Sequence, residues 1–227
     1  MGPKKIMDNL YLIGDSEISD PKDCTVFLLD LDELILIDTG AGRSVDRMVA
    51  YIKQLGLQTA KISNIILTHC HIDHVGGALE FKERSDARII MHALDAEIVE
   101  RGDRTMTGAF WYGIHFKPVT VDLKLQKEEE RFTFNGQEVV CLHTPGHSPG
   151  SISVYLDLNG KRVLFGQDLH GPFIKEFGAN MQDWTRSMHK LLDLKADILC
   201  EGHFGVIQPN SAVTEYIQRY LDEYGEK

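Results

Sequence analysis

No apolar run approaches the ~18 residues that a membrane-crossing helix needs. The first eleven residues carry Lys4 and Lys5 without the apolar stretch and small-residue cleavage site of a secretory signal. These absences exclude a helical span and make a cytoplasmic protein the expectation. Cysteine is scarce: Cys24, Cys70, Cys141 and Cys200 are scattered without C-x-x-C spacing, and three of them fall in apolar strand-like runs. A buried free thiol there behaves as a small hydrophobe, so no disulfide framework is expected. Positive charge is short as well, with 24 Lys and Arg against 34 Asp and Glu for a net charge of -10. Without a local basic patch, such a chain repels phosphate backbones. The Glu128–Glu130 run reads as a solvated turn, and no low-complexity segment or short-period repeat is found.

What the chain does have is enough apolar residue, 43% of 227, to bury one substantial core, so residues 1–227 are expected to form one domain. Val26–Leu29 and Leu34–Ile37 are strand-sized apolar runs joined by a polar turn. Val45, Met48, Val49 and Ile52 then recur at helical spacing, with Ser44 as the candidate cap and Gly56 as the stop. Strands are predicted at 64–67, 88–91, 121–125, 138–142, 151–156, 162–165 and 198–200, and a helix from Gly76-Gly77 to Lys82. Trp184, Met188, Leu191 and Leu192 mark another helix, and Val213, Tyr216, Ile217, Tyr220, Leu221 and Tyr224 a last one. Each half gives strands first and helices after. That order favours an α/β (α+β) arrangement of packed sheets with helices outside over a doubly wound parallel sheet.

Thr68-His69-Cys70-His71-Ile72-Asp73-His74 places three imidazoles and a carboxylate within six residues, directly after a predicted strand. Imidazole nitrogen and carboxylate oxygen are ligands that borderline divalent ions accept. His69 and His71 project to one side if the backbone is extended, while Asp73 and His74 point in different directions, so one stretch can serve two ions. Neither ion is filled by this stretch alone. His147, Asp168 and His203 each stand in a loop at a predicted strand end. Taken singly, any of the three reads as an ordinary loop residue.

The successive segments THCHIDHVGG, TPGHSPGS, FGQDLHG and CEGHFG resemble the metal motifs of the metallo-β-lactamase superfamily, in the same order. The resemblance spans Asp38 to His203 and implies a four-layered αβ/βα sandwich, two mixed β-sheets flanked by helices. By position it implies that His69, His71 and His147 hold one ion, that Asp73, His74 and His203 hold the other, and that Asp168 bridges them. Asp38 in Ile37-Asp38-Thr39-Gly40 matches the aspartate that orients a liganding imidazole; its bland reading is a helix cap. The implied cofactors are two divalent ions, zinc first, with iron or manganese as alternatives. Antibiotic-hydrolysing members typically carry cysteine or serine where Asp168 stands. His74 with Asp168 and His203 is instead similar to the glyoxalase II, lactonase and nuclease branches. Glyoxalase II adds a helical glutathione-binding domain, whereas only about twenty residues follow the His203 loop here.

The expected activity is therefore metal-dependent hydrolysis of an ester, lactone or thioester of a small molecule. A bridging hydroxide would attack, with Asp73 and Asp168 as the catalytic carboxylates and Asp73 carrying a proton to the leaving group. His170 is a candidate donor to substrate, with a solvent-facing loop histidine as the alternative. Phe110, Trp111, Tyr112 and Phe116 would wall an acyl pocket or simply pack in the core. Expected partners are a small-molecule substrate and a second copy in a homodimer, with neither nucleic acid nor membrane. Three rivals compete. A mononuclear-iron persulfide dioxygenase has similar ligand positions. A serine hydrolase would use Ser148 in Gly146-His147-Ser148-Pro149-Gly150, although the following segment reads as a strand where that motif needs a helix. The third is a non-catalytic metal-binding module.

Overall fold

Val-Phe-Leu-Leu and Leu-Ile-Leu-Ile lack the apolar–polar alternation of a strand with one wet face. The computed structural model, which describes residues 2–225, shows both faces of these strands covered. Phe27, Leu29, Ile35 and Ile37 face a second sheet, while Val26, Leu28, Leu34 and Leu36 face helices. The first sheet comprises β1 (Lys4–Met7), β2 (Leu10–Gly14), β3 (Val26–Asp30), β4 (Leu34–Ile37), β5 (Ile62–Ile66), β6 (Arg88–His92) and β7 (Leu123–Leu125), in sequential order. β1 to β4 run antiparallel and β4 to β7 parallel, so the sheet is mixed. The second sheet follows in the chain: β8 (Glu129–Phe134), β9 (Gln137–His143), β10 (Ile152–Leu158), β11 (Lys161–Gln167), β12 (Ile198–Glu201) and β13 (Gly205–Ile207). It is antiparallel except for the β11–β12 pair.

The inner faces of the two sheets meet in a core that includes Phe27, Ile37, Ile66, Val154 and Phe165, with the Phe27 and Phe165 rings 5.4 Å apart. Each such side chain contributes about 1.5–3 kcal/mol by leaving water. On the outer face of the first sheet lie α1 (Val45–Gln54), α2 (Ile72–Val75), α3 (Ala78–Ser85), α4 (Ala93–Arg101) and the single turn α5 (Ala109–Tyr112). On the outer face of the second lie α6 (Met181–Asp193) and α7 (Asn210–Tyr224). Trp184, Met188 and Leu191 of α6 and Val213, Ile217 and Leu221 of α7 are buried, as their spacing predicts. The result is the four-layered αβ/βα sandwich.

Two local expectations need correction. Glu129 and Glu130 do not form a turn but open β8, an edge strand whose alternating Glu, Arg and Thr side chains face solvent. A charged edge strand carries little apolar signal, because its charges guard an unpaired edge. Ser44 does precede α1, but its hydroxyl does not cap the helix; it donates to the buried carboxylate of Asp23.

Strand ends set the site. Asp38 follows β4, residues 69–74 follow β5, His147 follows β9, Asp168 follows β11 and His203 follows β12, and these loops converge at one edge of the sandwich.

Candidate metal centre

The turn after β5 has two halves. His69 sits in the loop, and His71 is the cap residue of α2, which carries Asp73 and His74 one position apart in its first turn. A helical turn, not an extended chain, therefore aims the later pair. His69 Nε2 lies 3.1 Å from His71 Nδ1, and His147 Nε2 approaches the same atom to 2.8 Å. Asp168 Oδ2 closes this first group at 3.5 Å from His147 and 4.0 Å from His69. In the second group, His203 Nε2 lies 3.3 Å from both Asp73 Oδ2 and Asp168 Oδ2, and His74 Nε2 lies 3.1 Å from Asp168 Oδ1. Within each group the ligand atoms lie within 4.8 Å of one another, and Asp168 belongs to both. A Cβ on Gly202 would stand 2.1 Å from Asp168 Oδ1, so only glycine lets the His203 loop come this close.

Supporting hydrogen bonds fix the ring tautomers. Asp38 accepts from Thr68 N, Thr68 Oγ1 and His74 Nδ1, each at 2.8 Å. With its hydroxyl proton committed to Asp38, Thr68 Oγ1 accepts from His69 Nδ1 at 3.1 Å. His69 and His74 thus both turn Nε2 into the cluster. Asp38 is held in the left-handed region at φ 59° and caps no helix.

Two atoms that face into the cluster, His74 Nε2 and Asp168 Oδ1, are buried without a hydrogen bond among the described residues, as are His71 Nε2 and His147 Nδ1, the ring nitrogens opposite those that face it. Imidazole nitrogens 2.8–3.1 Å apart, with lone pairs facing one another, repel unless a cation or proton lies between them. Burial holds His69, His71 and His147 below the ordinary histidine range, His147 at about 3, so the first group presents neutral, ligand-ready imidazoles. In the second group the balance reverses. Burial opposes charge on His203, but the facing Asp168 and Asp73 raise it to about 10. Burial would likewise raise Asp168, yet His203 and His74 hold it well below the carboxylate range. Two carboxylates there call for positive charge, which divalent ions supply. The donor sets and their unpartnered atoms fit such ions.

A cleft of about 280 Å³ opens over the cluster. Trp111, Tyr112, Ile174 and Phe177 wall it, with the Trp111 and Phe177 rings 5.0 Å apart, and the Tyr112 hydroxyl donates to Asp73 Oδ2 at 3.2 Å. His170 also lines the cleft and meets Glu201 Oε1 at 2.8 Å through Nδ1. Phe110 turns outward, 69% exposed, and does not line the cleft, while Phe116 packs in the core. Of the four aromatics, Trp111 and Tyr112 alone reach the cleft. Ser148 is fully buried, its hydroxyl donates to Asp95 at 2.6 Å, and strand β10 follows where a nucleophile elbow requires a helix.

Two supporting carboxylates, Asp95 and Glu201, escape a motif reading. Glu201 is fully buried and accepts from His203 N and Phe204 N at 2.7 and 2.9 Å, which fixes the turn that carries His203. Its signal was present: an acid closing the apolar run Ile198–Cys200 must find partners.

Comparison with known proteins agrees with this geometry. The chain is 26% identical over 213 residues to the probable metallo-hydrolase YybB of Bacillus subtilis, covering 87% of this chain and 88% of that protein. A second B. subtilis protein, the probable metallo-hydrolase YqgX, is 29% identical over 184 residues, covering 78% and 82%. A solved Cronobacter sakazakii metallo-beta-lactamase with a mutated HARLDQ motif superposes with a TM-score of 0.83 at 25% identity, covering 99% of this chain and 95% of that one. The model of the metallo-beta-lactamase superfamily matches residues 19–203, and with that match over most of its length the chain belongs to this superfamily of metallo-hydrolases.

Proposed function

We propose that the protein is a dinuclear metallo-hydrolase that cleaves an ester, lactone or thioester of a small molecule. The observation that carries this reading is the pair of buried donor groups sharing Asp168, in which His74 Nε2 and Asp168 Oδ1 have no hydrogen bond and imidazole nitrogens face one another at 2.8–3.1 Å. His69, His71, His147 and Asp168 would hold one ion, and Asp73, His74, His203 and Asp168 the other. Two divalent ions, with zinc the first choice for an imidazole and carboxylate set, would supply hydroxide from water at neutral pH and polarise an acyl oxygen.

The protein's own side chains do the rest. Trp111, Ile174 and Phe177 exclude water and seat an apolar acyl group. Tyr112, raised well above the ordinary phenol range by burial and then by Asp73, stays protonated and donates toward Asp73. Asp73 would take the proton released by the attacking water and pass it to the leaving oxygen or sulfur. His170, oriented by Glu201, offers Nε2 to the substrate.

The test is elemental analysis of protein purified without added metal, with chelator-sensitive turnover of lactones, simple esters and glutathione thioesters. Two ions per chain with hydrolysis, abolished in Asp168→Ala and Asp73→Ala, is the expected result. One iron per chain with no hydrolysis would transfer the proposal to persulfide oxidation. Wild-type turnover in either alanine variant would refute the mechanism.

A further inference from the structure

Asp95 belongs to none of the ligand motifs, yet it is fully buried in the first turn of α4. A carboxylate without solvent is costly unless its oxygens are satisfied. Its Oδ2 accepts from Cys70 N at 2.9 Å and from Ser148 Oγ at 2.6 Å, and its Oδ1 accepts from Gly150 N at 2.7 Å. Cys70 lies between His69 and His71, and Ser148 directly follows His147. One carboxylate on a third element therefore ties together the two segments that supply the three imidazoles of the first group.

The contact is built for closeness. A Cβ on Gly150 would stand 2.5 Å from Asp95 Oδ1. Three donors converge on Asp95, so an acceptor-only group is required; an amide would turn N–H groups toward one of them. A second fastening lies outside the first. His92, the cap of the same helix, stacks on His143 at 3.9 Å and 6°, and His143 Nε2 meets the Pro149 carbonyl at 2.9 Å. The start of α4 thus holds the His147 loop at two points. His74, in the second group, is oriented by Asp38 instead.

The geometry assigns Asp95 as the positioning residue of the first ion site: through Cys70, Ser148 and Gly150 it sets the spacing between the His69–His71 arm and the His147 loop, and with it the affinity for that ion. Asp95 touches neither ion nor substrate. The role rests on the dinuclear reading above.

The experiment places Asp95→Asn in two backgrounds and measures zinc affinity of metal-free protein by competition with a chromophoric chelator. His203→Ala leaves the first group intact, and His71→Ala leaves the second. Loss of an outer partner typically weakens metal binding about 10- to 100-fold, and that loss is expected in the His203→Ala background, against less than about 3-fold in the His71→Ala background. Equal losses in both, or a loss under about 3-fold in the first, overturn the assignment. Asp122→Asn is the control for general destabilisation: Asp122 accepts from Ile89 N of β6 and has no bond to the metal loops, so it should leave both affinities unchanged. Should Asp95→Asn fail to fold by circular dichroism, Ser148→Ala carries the test. It removes one of the three donors and is expected to cost about 3- to 10-fold in the first background alone; no selective loss overturns the role. Absence of zinc binding in the unsubstituted protein would overturn the metal centre itself, whereas binding without the selective loss overturns only the part given to Asp95.

Discussion

Replacing Asp38 tests the link between a buried hydrogen-bond network and metal affinity. Asp38 is 3% exposed and accepts three hydrogen bonds at 2.8 Å, from Thr68 N, Thr68 Oγ1 and His74 Nδ1. In Asp38→Ala the Thr68 hydroxyl can turn elsewhere, but the Thr68 amide and the His74 ring N–H cannot, and each stranded donor costs about 1–3 kcal/mol. Alanine in the left-handed backbone at φ 59° adds about 1 kcal/mol. The sum, about 5 kcal/mol, is comparable to the whole stability of a marginal domain. Asp38→Asn separates the two effects, because asparagine tolerates this backbone and keeps one acceptor oxygen. It should cost about 1–3 kcal/mol in urea unfolding of the metal-free protein. It should also lower affinity for the ion at His74 by about 10- to 100-fold in chelator competition. An asparagine variant that keeps metal affinity within about twofold of wild type, with an alanine variant that unfolds less than about 1 kcal/mol more easily, would refute the reasoning.

Three further outcomes are expected. Each methylene that an acyl chain buries against Trp111 and Phe177 should raise kcat/KM about 3- to 4-fold, and Trp111→Ala should flatten that dependence across acetyl to octanoyl esters; parallel losses for short and long chains would count against the acyl wall. Ser148→Ala at saturating metal should keep turnover within about tenfold and remain chelator-sensitive, whereas loss of a true serine nucleophile would cost far more than about a thousandfold. His92 gives a pH signature: burial, then His143, lower it to about 4 from 6.5, so the folded state binds fewer protons than the unfolded chain below neutrality. Its contribution is complete above about pH 6.5 and is lost as pH falls toward 4, roughly 1 kcal/mol by pH 5.5. His92→Gln should remove that part of the pH dependence of urea unfolding; an unchanged slope would contradict it.

Much of the site is legible in the chain because its chemistry is local. His69, His71, Asp73 and His74 declare themselves within six residues, since no ordinary loop concentrates such side chains. The apolar runs at Val26–Leu29 and Leu34–Ile37 likewise announce strands, and the structure adds that both their faces are covered. His147, Asp168 and His203 are different: singly each is an ordinary loop residue, and only the family resemblance raised them. β8 was hidden because an edge strand with charged outward positions imitates a turn. Phe110, Trp111, Tyr112 and Phe116 could not be sorted, because aromatic content says nothing of which ring faces solvent, cleft or core.

The sequence alone favoured packed sheets with helices outside, through the period and order of its apolar residues, with the four-layered sandwich implied by the family resemblance, and it indicated the class of ligand through imidazole and carboxylate chemistry. Tertiary structure alone decided that Asp168 lies between two donor groups, that Trp111 and Tyr112 but not Phe110 wall the cleft, and that Asp95 ties Cys70 to the His147 loop. The reason is that these are distances between loops far apart in the chain. Side-chain identity and spacing carry no record of them until both sheets pack and bring their strand ends together.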